Sequence, residues 1–336
     1  MPVVKRVSVY AKRLKWLPMA WLMGFCLVDV AAAQALKVIE TEKGIVVRRN
    51  SQDIITYNIV SPPAPRGIDS VYERSGCLHP VNTPRGRTVT QMFPVDHPHQ
   101  HGIFSAWVKT KYGGQTVDFW NLAGGTGRVL HERVVRTFQE KDRVGFEVDL
   151  IHRATKKKPV DVLRERWKVT VYPTDGTYHC FDLESTQQAI SDKPLIVSKY
   201  HYGGMALRGP TRWLSAQDRW ARDHPDLSRE PSKFVNGLGS GRVKGNHQHT
   251  KWVALTGSMD GKPATIVVLS HAKNFRAPQA ARLHPTKPYF CFAPCVDGTF
   301  TIDRKHPFQA RYRYLLTDTE PDAKWIDQQW KAWCGK

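Results

Sequence analysis

Alternation of apolar and polar side chains is the feature that most constrains how this chain of 336 residues can fold. In the segment RVGFEVDLIH, residues 143–152, Val144, Phe146 and Val148 alternate with residues that are more polar. Segments 164–172 and 308–318 repeat this pattern. Strands with one apolar and one polar face are typical of antiparallel sheets. By contrast, ATIVVLSH at 264–271 is mostly apolar and predicts a strand that is buried on both faces.

Turn residues separate the predicted strands, and one segment predicts a helix. Clusters of Gly, Pro and Asp recur along the chain at the spacing of hairpins. In EPDAKWIDQQWKAWC, residues 320–334, Ile326, Trp330 and Trp333 share one helical face, and Pro321 suits the first turn. We expect this helix to pack as a lid on the sheets. The sequence therefore predicts an all-β fold, a large antiparallel β-sandwich with a short C-terminal helix.

The first 33 residues have the composition of a secretory signal peptide. Basic residues at 5–15 precede the apolar run WLPMAWLMGFCLV, and small residues near Ala33 offer a cleavage site. We therefore expect export to the periplasm, the cell surface or the medium, and no transmembrane helix in the mature chain. Residues 34–336 are predicted to form a single domain, with an irregular polar insertion at about 209–250.

Cysteine count and charge narrow the expected environment and partners. The chain has six cysteines, and removal of Cys26 with the signal peptide leaves an odd number, which predicts at least one free thiol. The formal net charge of +20 favours acidic partners. Lys and Arg are nevertheless spread over nearly all the predicted strands, and no nucleic-acid-binding motif accompanies them. We expect a solvated basic surface and no nucleic acid partner; no pattern indicates an oligomeric state.

The segment PVDHPHQHG, residues 94–102, concentrates the side chains best suited to chemistry. On a regular strand His97, His99 and His101 would share one face, an arrangement that suits a divalent metal. The proline and glycine inside the segment favour a loop or a sheet edge instead. Asp96 is placed to orient an imidazole by accepting a hydrogen bond from it. A metal site, an acid–base cluster and a hydrogen-bonded turn are the three interpretations.

Two other segments carry candidate binding residues. SKYHYGGMALRG, residues 198–209, ends in glycines that let a ligand approach the backbone closely. SHAKNFRAP, residues 270–278, follows the buried strand, and binding residues often collect in such loops. Asp182 and Glu184 lie two apart on one predicted strand, a spacing that suits paired acid and base roles.

Four motifs in the same order resemble the PmoA-like family, a bacterial group labelled methane oxygenase but without an assigned function. The motifs are CLHPVNTPRG, DHPHQHGIFSAW, YGGMALRG and SHAKNFRAP, and the resemblance covers about residues 36–317. A membrane subunit of methane monooxygenase is built from apolar helices, which the mature sequence does not predict, so we treat the label as a name. Members are similar to secreted proteins found near carbohydrate-processing enzymes. The resemblance therefore implies a carbohydrate or glycoside ligand.

We accordingly expect a carbohydrate-processing enzyme of the epimerase, lyase or hydrolase type on a galactose-mutarotase-like supersandwich. The predicted acid and base groups are His79, His97, His99 and Glu184. The predicted ligand contacts are Asp96, His201, Tyr202, Arg208, His271, Asn274 and Arg276. Two alternatives stay open, a non-catalytic glycan-binding protein and a metal-dependent oxidoreductase. No cofactor is certain; for a divalent metal, the predicted ligands are His97, His99 and His101.

Overall fold

The alternating segments pair as antiparallel strands in the computed structural model, which describes residues 1–4, 36–156, 158–224, 230 and 232–335. The predicted signal peptide, apart from residues 1–4, and its cleavage site lie outside the described residues. Residues Gln34–Lys336 form one compact unit. Of the helices within the described ranges, none has the length and apolar character needed to cross a membrane.

Most of the described strands belong to two eight-stranded sheets. The order in the first sheet is β1 (Leu36–Glu40), β2 (Gly44–Arg49), β3 (Gln52–Asn58), β4 (Leu78–Val81), β5 (Ile103–Ala106), β13 (Gly204–Arg208), β18 (Tyr289–Phe292) and β17 (Ala281–Leu283). The order in the second sheet is β14 (Ser232–Asn236), β15 (Trp252–Met259), β16 (Lys262–Ser270), β20 (Phe308–Thr317), β11 (Tyr178–Ala189), β10 (Val160–Tyr172), β9 (Val144–Ala154) and β8 (Gly127–Gln139).

A smaller four-stranded sheet, three α-helices and three short 3₁₀ helices complete the regular elements of the described residues; the 3₁₀ helices are Ser70–Tyr72, Thr211–Trp213 and Pro294–Asp297. The small sheet has the order β19 (Phe300–Ile302), β12 (Leu195–Val197), β6 (Thr110–Tyr112) and β7 (Gln115–Val117). The α-helices are α1 (Arg219–Asp223), α2 (Arg242–Gly245) and α3 (Ala323–Cys334).

The core lies between the two large sheets, where their inward faces meet. Phe292 of β18 stacks on Tyr312 of β20 with ring centroids 5.5 Å apart. Trp107, which follows β5, donates from its indole nitrogen to Gln187 of β11 at 2.7 Å. Phe146 on β9 is fully buried, and burial of such a side chain contributes about 1.5 to 3 kcal/mol. The predicted all-β fold, a large antiparallel β-sandwich with a short C-terminal helix, is confirmed.

Helix α3 covers the outward face of the second sheet. Asp322 caps its N-terminus by accepting a hydrogen bond from the Lys324 amide at 2.9 Å, so Pro321 precedes the helix rather than lying in its first turn. Ile326 and Trp333 form an apolar cluster with Val267 of β16 on this outward face. The residues on either side of Val267, Ile266 and Val268, face the core between the sheets. The predictions of a tryptophan lid and of a strand buried on both faces are confirmed.

The segment 209–250 is more regular than the sequence indicates. Its described part contains α1, β14 and α2, and β14 extends the second sheet by pairing with β15. The polar composition concealed β14 because it is a short edge strand. All five cysteines of the described ranges, Cys77, Cys180, Cys291, Cys295 and Cys334, are free thiols.

Candidate functional site

Strand pairing places one set of side chains on the outward face of the first sheet. In antiparallel strands, directly paired residues point to the same side. Phe292 points inward to the core, so its neighbour Cys291 points outward. Arg282 on β17 pairs with Cys291, and Arg208 on β13 pairs with Tyr289 on β18. The floor of the candidate site is therefore built on β13, β18 and β17.

Loops around this floor enclose a cavity of about 220 Å³. It is smaller than the ~300 to 1,000 Å³ of sites for drug-sized ligands, so it suits one small molecule. The loops at 93–102, 118–126 and 198–203 form its walls. The lining residues are His97, His99, Gln100, Trp120, Asn121, His201, Tyr202, Arg282, His284 and Tyr289.

A wider groove of about 550 Å³ lies on the outward face of the second sheet, but its charged groups are already paired. Arg164 donates to Glu132 at 2.8 Å, and Arg166 donates to Asp149 at 2.9 Å. A ligand there would have to compete with these carboxylates. The smaller cavity, whose lining groups are less completely paired, is the better candidate site.

The histidine-rich segment forms consecutive turns rather than a strand. The His97 amide donates to the Pro94 carbonyl at 2.9 Å, and the Gln100 amide donates to the His97 carbonyl at 3.0 Å. Gly102 ends the loop with φ of 57°, and a Cβ there would overlap the Leu78 carbonyl oxygen. The loop conformation predicted from the proline and glycine is confirmed.

These turns separate His101 from the other two imidazoles. His97 and His99 line the cavity with ring centroids 5.3 Å apart. His101 is fully buried and packs edge-on against Phe93 at 4.9 Å. Within the described ranges, no group of three or more His, Cys, Asp or Glu side chains could hold a metal ion. The predicted ligand set of His97, His99 and His101 is therefore not assembled, because the loop does not keep the alternation of a strand.

Asp96 lies behind the cavity in a buried network of charges. Arg208 donates to both of its oxygens, at 2.6 and 2.9 Å, and Lys287 lies 3.3 Å away. Burial raises the pKa of Asp96, but the hydrogen bond with His97 and the Arg208 and Lys287 charges outweigh burial and hold that pKa well below its usual range. Asp96 is therefore a carboxylate that can only accept hydrogen bonds.

Asp96 fixes the tautomer of His97. The Nδ1 atom of His97 lies 3.2 Å from Oδ2 of Asp96. Because the carboxylate only accepts, Nδ1 must carry the proton in the neutral ring, and the lone pair is on Nε2. This Asp–His pair is the arrangement that orients an imidazole for proton transfer.

Two neutral imidazoles flank His97. Burial lowers the pKa of His99 to about 3, and the charge of Arg208 adds to the effect. Burial also lowers the pKa of His284 to about 3, aided by Arg282. The ring of His284 lies 6.2 Å from that of His97. Near neutral pH these two rings can donate and accept hydrogen bonds without charge.

Aromatic side chains form the opposite wall of the cavity. Trp120 lies 5.2 Å from Tyr202 and 5.9 Å from Tyr289, centroid to centroid. The Tyr202 hydroxyl donates to the side-chain oxygen of Asn121 at 3.2 Å, and the side-chain nitrogen of Asn121 donates to Asp118 at 2.6 Å. Trp120 is fully buried, and its Nε1 has no hydrogen-bond partner within the described residues. The wall therefore consists mainly of aromatic rings.

Several predicted site residues support the cavity without lining it. His79 is packed beneath the histidine-rich loop and lies 2.9 Å from the Thr90 hydroxyl, and burial lowers its pKa to about 4. Arg208 and Asp96 lie behind His97, where they position it. Of the predicted residues, only His97, His99, His201 and Tyr202 line the cavity.

Glu184 and His271 lie on the other sheet, so the prediction that Glu184 acts with His97 and His99 is wrong in geometry. Glu184 points outward from β11 toward Lys168 and Arg311, at 3.7 and 3.3 Å. His271 packs edge-on against Trp333 of α3 at 4.9 Å. Alternation placed Glu184 on one face of a strand but could not show which face.

Asn274 and Arg276 hold loops together instead of facing the cavity. The Asn274 side chain donates to the Arg311 carbonyl at 2.9 Å and accepts from the Arg311 amide at 2.8 Å. Arg276 donates to the carbonyls of Pro294 and Gly298 at 2.7 Å each. Their predicted role in ligand contact is replaced by a structural one.

Sequence reasoning missed much of the cavity. Arg282 lies on a strand of only three residues, which was not recognised, and His284 directly follows that strand. Trp120 and Asn121 precede a glycine-rich turn, and nothing in their pattern distinguishes them from core residues. The missed lining residues are Gln100, Trp120, Asn121, Arg282, His284 and Tyr289.

The similarities to solved structures are weak. An α-N-acetylgalactosaminidase, NagBb, from Bifidobacterium bifidum in complex with GalNAc is 11% identical, with a TM-score of 0.34. A protein assigned as a kojibiose phosphorylase from the human microbiome is 10% identical, with a TM-score of 0.31. The matches cover 89% and 87% of this chain but only 37% and 29% of those chains. Similarity at this level does not bear on what the chain does.

No curated protein matches the chain. One family model matches residues 44–331, and its description is a family of unknown function, DUF6807. The resemblance to the PmoA-like family is therefore wrong, because the motifs that suggested it all lie within the DUF6807 match. The chain belongs to the DUF6807 family of unknown function.

Proposed function

We propose that this chain processes a carbohydrate, using His97 oriented by Asp96 as the group that transfers a proton to and from a sugar-sized ligand. The observation that carries the proposal is the Asp96–His97 pair at the wall of a small cavity that also has aromatic walls. Aromatic faces pack against the apolar faces of a sugar ring, while neutral His99 and His284 can bond its hydroxyls.

The chemistry follows from the tautomer of His97. Its Nε2 lone pair accepts a proton from the ligand, and the resulting imidazolium is stabilised by the Asp96 carboxylate. Arg208 and Lys287 keep Asp96 fixed, so the imidazole needs little reorganisation during the transfer. In a lyase the proton leaves a ring carbon and is given to the departing oxygen, and in an epimerase it returns to the opposite face of the same carbon. In a hydrolase His97 takes the proton from the attacking water instead and passes it to the departing oxygen.

A second candidate is a glycan-binding protein without turnover, and one observation favours it. The ten residues that line the cavity include no carboxylate, whereas acid–base work on sugars commonly uses a carboxylate partner. In this candidate the same imidazoles and aromatic rings hold the ligand, and His97 donates or accepts hydrogen bonds only.

One experiment separates the two candidates. Monosaccharides and methyl glycosides are titrated calorimetrically into the protein, and each mixture is analysed for product by mass spectrometry. We expect product from at least one sugar that binds. Binding without product for every sugar would favour the glycan-binding protein, and absence of both would overturn the carbohydrate proposal.

A pair of variants tests the role of His97. His97→Asn should lower turnover by about 10²- to 10⁴-fold, the usual contribution of a positioned acid or base. The control is His306→Asn, because His306 forms a similar pair with Asp303 at 3.1 Å on the exposed surface. Turnover by His97→Asn at the rate of the control would contradict the assignment.

We further propose that the chain acts after export, as its first 33 residues suggest. N-terminal sequencing of protein recovered from the periplasm or the medium should begin near residue 34. A mature protein that retains Met1 would contradict this proposal.

A further inference from the structure

Arg282 is a cation in the cavity without a carboxylate partner among the described residues. Its Nη1 donates to the side chain of Asn246 and to the Leu283 carbonyl, each at 3.0 Å. Its Nη2 is accessible and makes no hydrogen bond within the described residues, so this nitrogen is the one that can donate to a ligand in the cavity. Since an unmade hydrogen bond of a charged group is costly, Arg282 retains capacity for a further acceptor.

The other cations near the cavity have carboxylate partners. Arg208 pairs with Asp96 at 2.6 Å, and Lys287 lies between Asp96 and Asp218, 2.7 Å from the latter. Asp118, behind the aromatic wall, accepts hydrogen bonds from Asn121 instead of pairing with a cation within the described residues. Arg282 is therefore the cation of the described cavity lining that lacks a carboxylate partner. Burial lowers the pKa of His99 and of His284 to about 3, so both imidazoles are neutral near pH 7. Neither ring therefore changes the net positive charge that Arg282 gives the cavity.

Trp120 contributes an apolar ring to the same cavity, where it packs against Tyr202 and Tyr289. An occupant that satisfies both residues needs an apolar ring face and at least one strong acceptor. A carboxylate is an acceptor of this kind, since the free Nη2 of Arg282 can donate a charge-assisted hydrogen bond to it.

We propose that the ligand of this cavity is an acidic sugar of the hexuronate class, and that Arg282 binds its carboxylate. The inference rests on the proposed carbohydrate function and specifies its substrate class. A volume of about 220 Å³ favours a compact monosaccharide carboxylate over a bulkier sugar phosphate. Arg282 thereby selects the ligand, while His97 remains the group that transfers the proton.

The test compares matched pairs of sugars. Methyl glucuronide and methyl galacturonide are titrated beside methyl glucoside and methyl galactoside, with glucose 6-phosphate and acetate as further probes. We expect the acid of each pair to bind about 10- to 100-fold more tightly, as a charge-assisted hydrogen bond predicts. Arg282→Gln should remove this preference.

Two further variants keep the result interpretable. Arg282→Lys retains the charge and should retain part of the preference for acidic sugars, whereas Arg282→Gln should lose it. A melting temperature equal to that of the wild type shows that each variant is folded. Arg304→Gln is the control, because Arg304 pairs with Asp192 on the surface. An unchanged preference in Arg282→Gln would overturn the assignment of Arg282.

The outcomes distinguish this inference from the proposed function. Equal binding of acidic and neutral sugars would overturn the acidic ligand and leave the carbohydrate function standing. Binding of acetate but of no sugar, lost in Arg282→Gln, would support an anion site at Arg282 and overturn the carbohydrate function. Tighter binding of glucose 6-phosphate than of either uronide would overturn the hexuronate class.

Discussion

Asp96 accepts hydrogen bonds from Arg208 and from His97. The same buried carboxylate therefore holds the loop to β13 through Arg208 and orients the imidazole of His97 in the cavity. Its partner Arg208 is fully buried and also donates to Gln100 at 2.9 Å. A buried pair of this kind contributes little net free energy compared with an apolar pair, but loss of one partner leaves the other charge without compensation.

Replacement of Arg208 should therefore be costly. Arg208→Met should lower the free energy of unfolding by about 3 to 5 kcal/mol, because Asp96 would lose its main partner in a buried site. Urea denaturation measures the change. The control is Arg136→Met, whose pair with Glu147 is exposed and screened by water, so its loss should cost far less. Equal costs for the two variants would show that the Asp96 network is not buried as described.

At the scale of elements, the sequence predicts that residues 93–102 form a loop, but not where its three imidazoles point. Its proline and glycine indicated that it is not a regular strand, and Asp96 was expected to orient an imidazole. The sequence could not show that the turns direct His97 and His99 into a cavity and His101 into the core. Two consecutive turns in the loop cause that separation, and a pattern of residue types does not reveal the directions in which such turns point their side chains.

Gly102 is the position at which this loop meets β4. Gly102→Ala should destabilise the protein and displace the loop, because the added Cβ would overlap the Leu78 carbonyl. Gly113→Ala is the control, since Gly113 has a similar φ of 53° but no atom within 4 Å of the added Cβ. We expect the extra cost at Gly102 to be about 1 to 3 kcal/mol in denaturant titrations. A cost no larger than that of Gly113→Ala would indicate that only backbone strain matters there.

At the scale of the whole molecule, alternation along the chain predicted the sandwich because both large sheets keep one face in the core. It could not assign outward-facing residues to a site. Glu184 and Arg282 both point outward, yet they lie on opposite sheets, and only the order of strands decides this. The tryptophan stripe of α3 was predictable because its spacing is local, whereas the cavity combines loops that are far apart in sequence.

Buried histidines should make the whole fold sensitive to acid. Burial lowers the pKa of His179 to about 4 and that of His99 to about 3, whereas the unfolded chain titrates near 6.5. Below pH about 6.5 these histidines bind protons in the unfolded chain but stay neutral in the folded chain. The free energy of unfolding therefore falls as the pH decreases. Each such histidine contributes on the order of 1 kcal/mol between pH 7 and pH 5.

Denaturant titrations at pH 7 and pH 5 measure this effect. His179→Asn should reduce the difference between the two pH values, because both ring nitrogens of His179 are buried without partners in the described part of the chain. His306→Asn, at an exposed position, should change the difference less than His179→Asn does. Equal stability of the wild type at both pH values would contradict the burial of these rings.

The most direct test of the central claim is the ¹⁵N spectrum of the histidine side chains, recorded with and without a sugar that binds. The Asp96–His97 pair predicts that His97 carries its proton on Nδ1 in the free protein. The ligand should shift the ring nitrogen signals of His97, His99 and His284 and leave those of His306 unchanged. A proton on Nε2 of His97, or ligand binding without any shift at these three rings, would contradict the account.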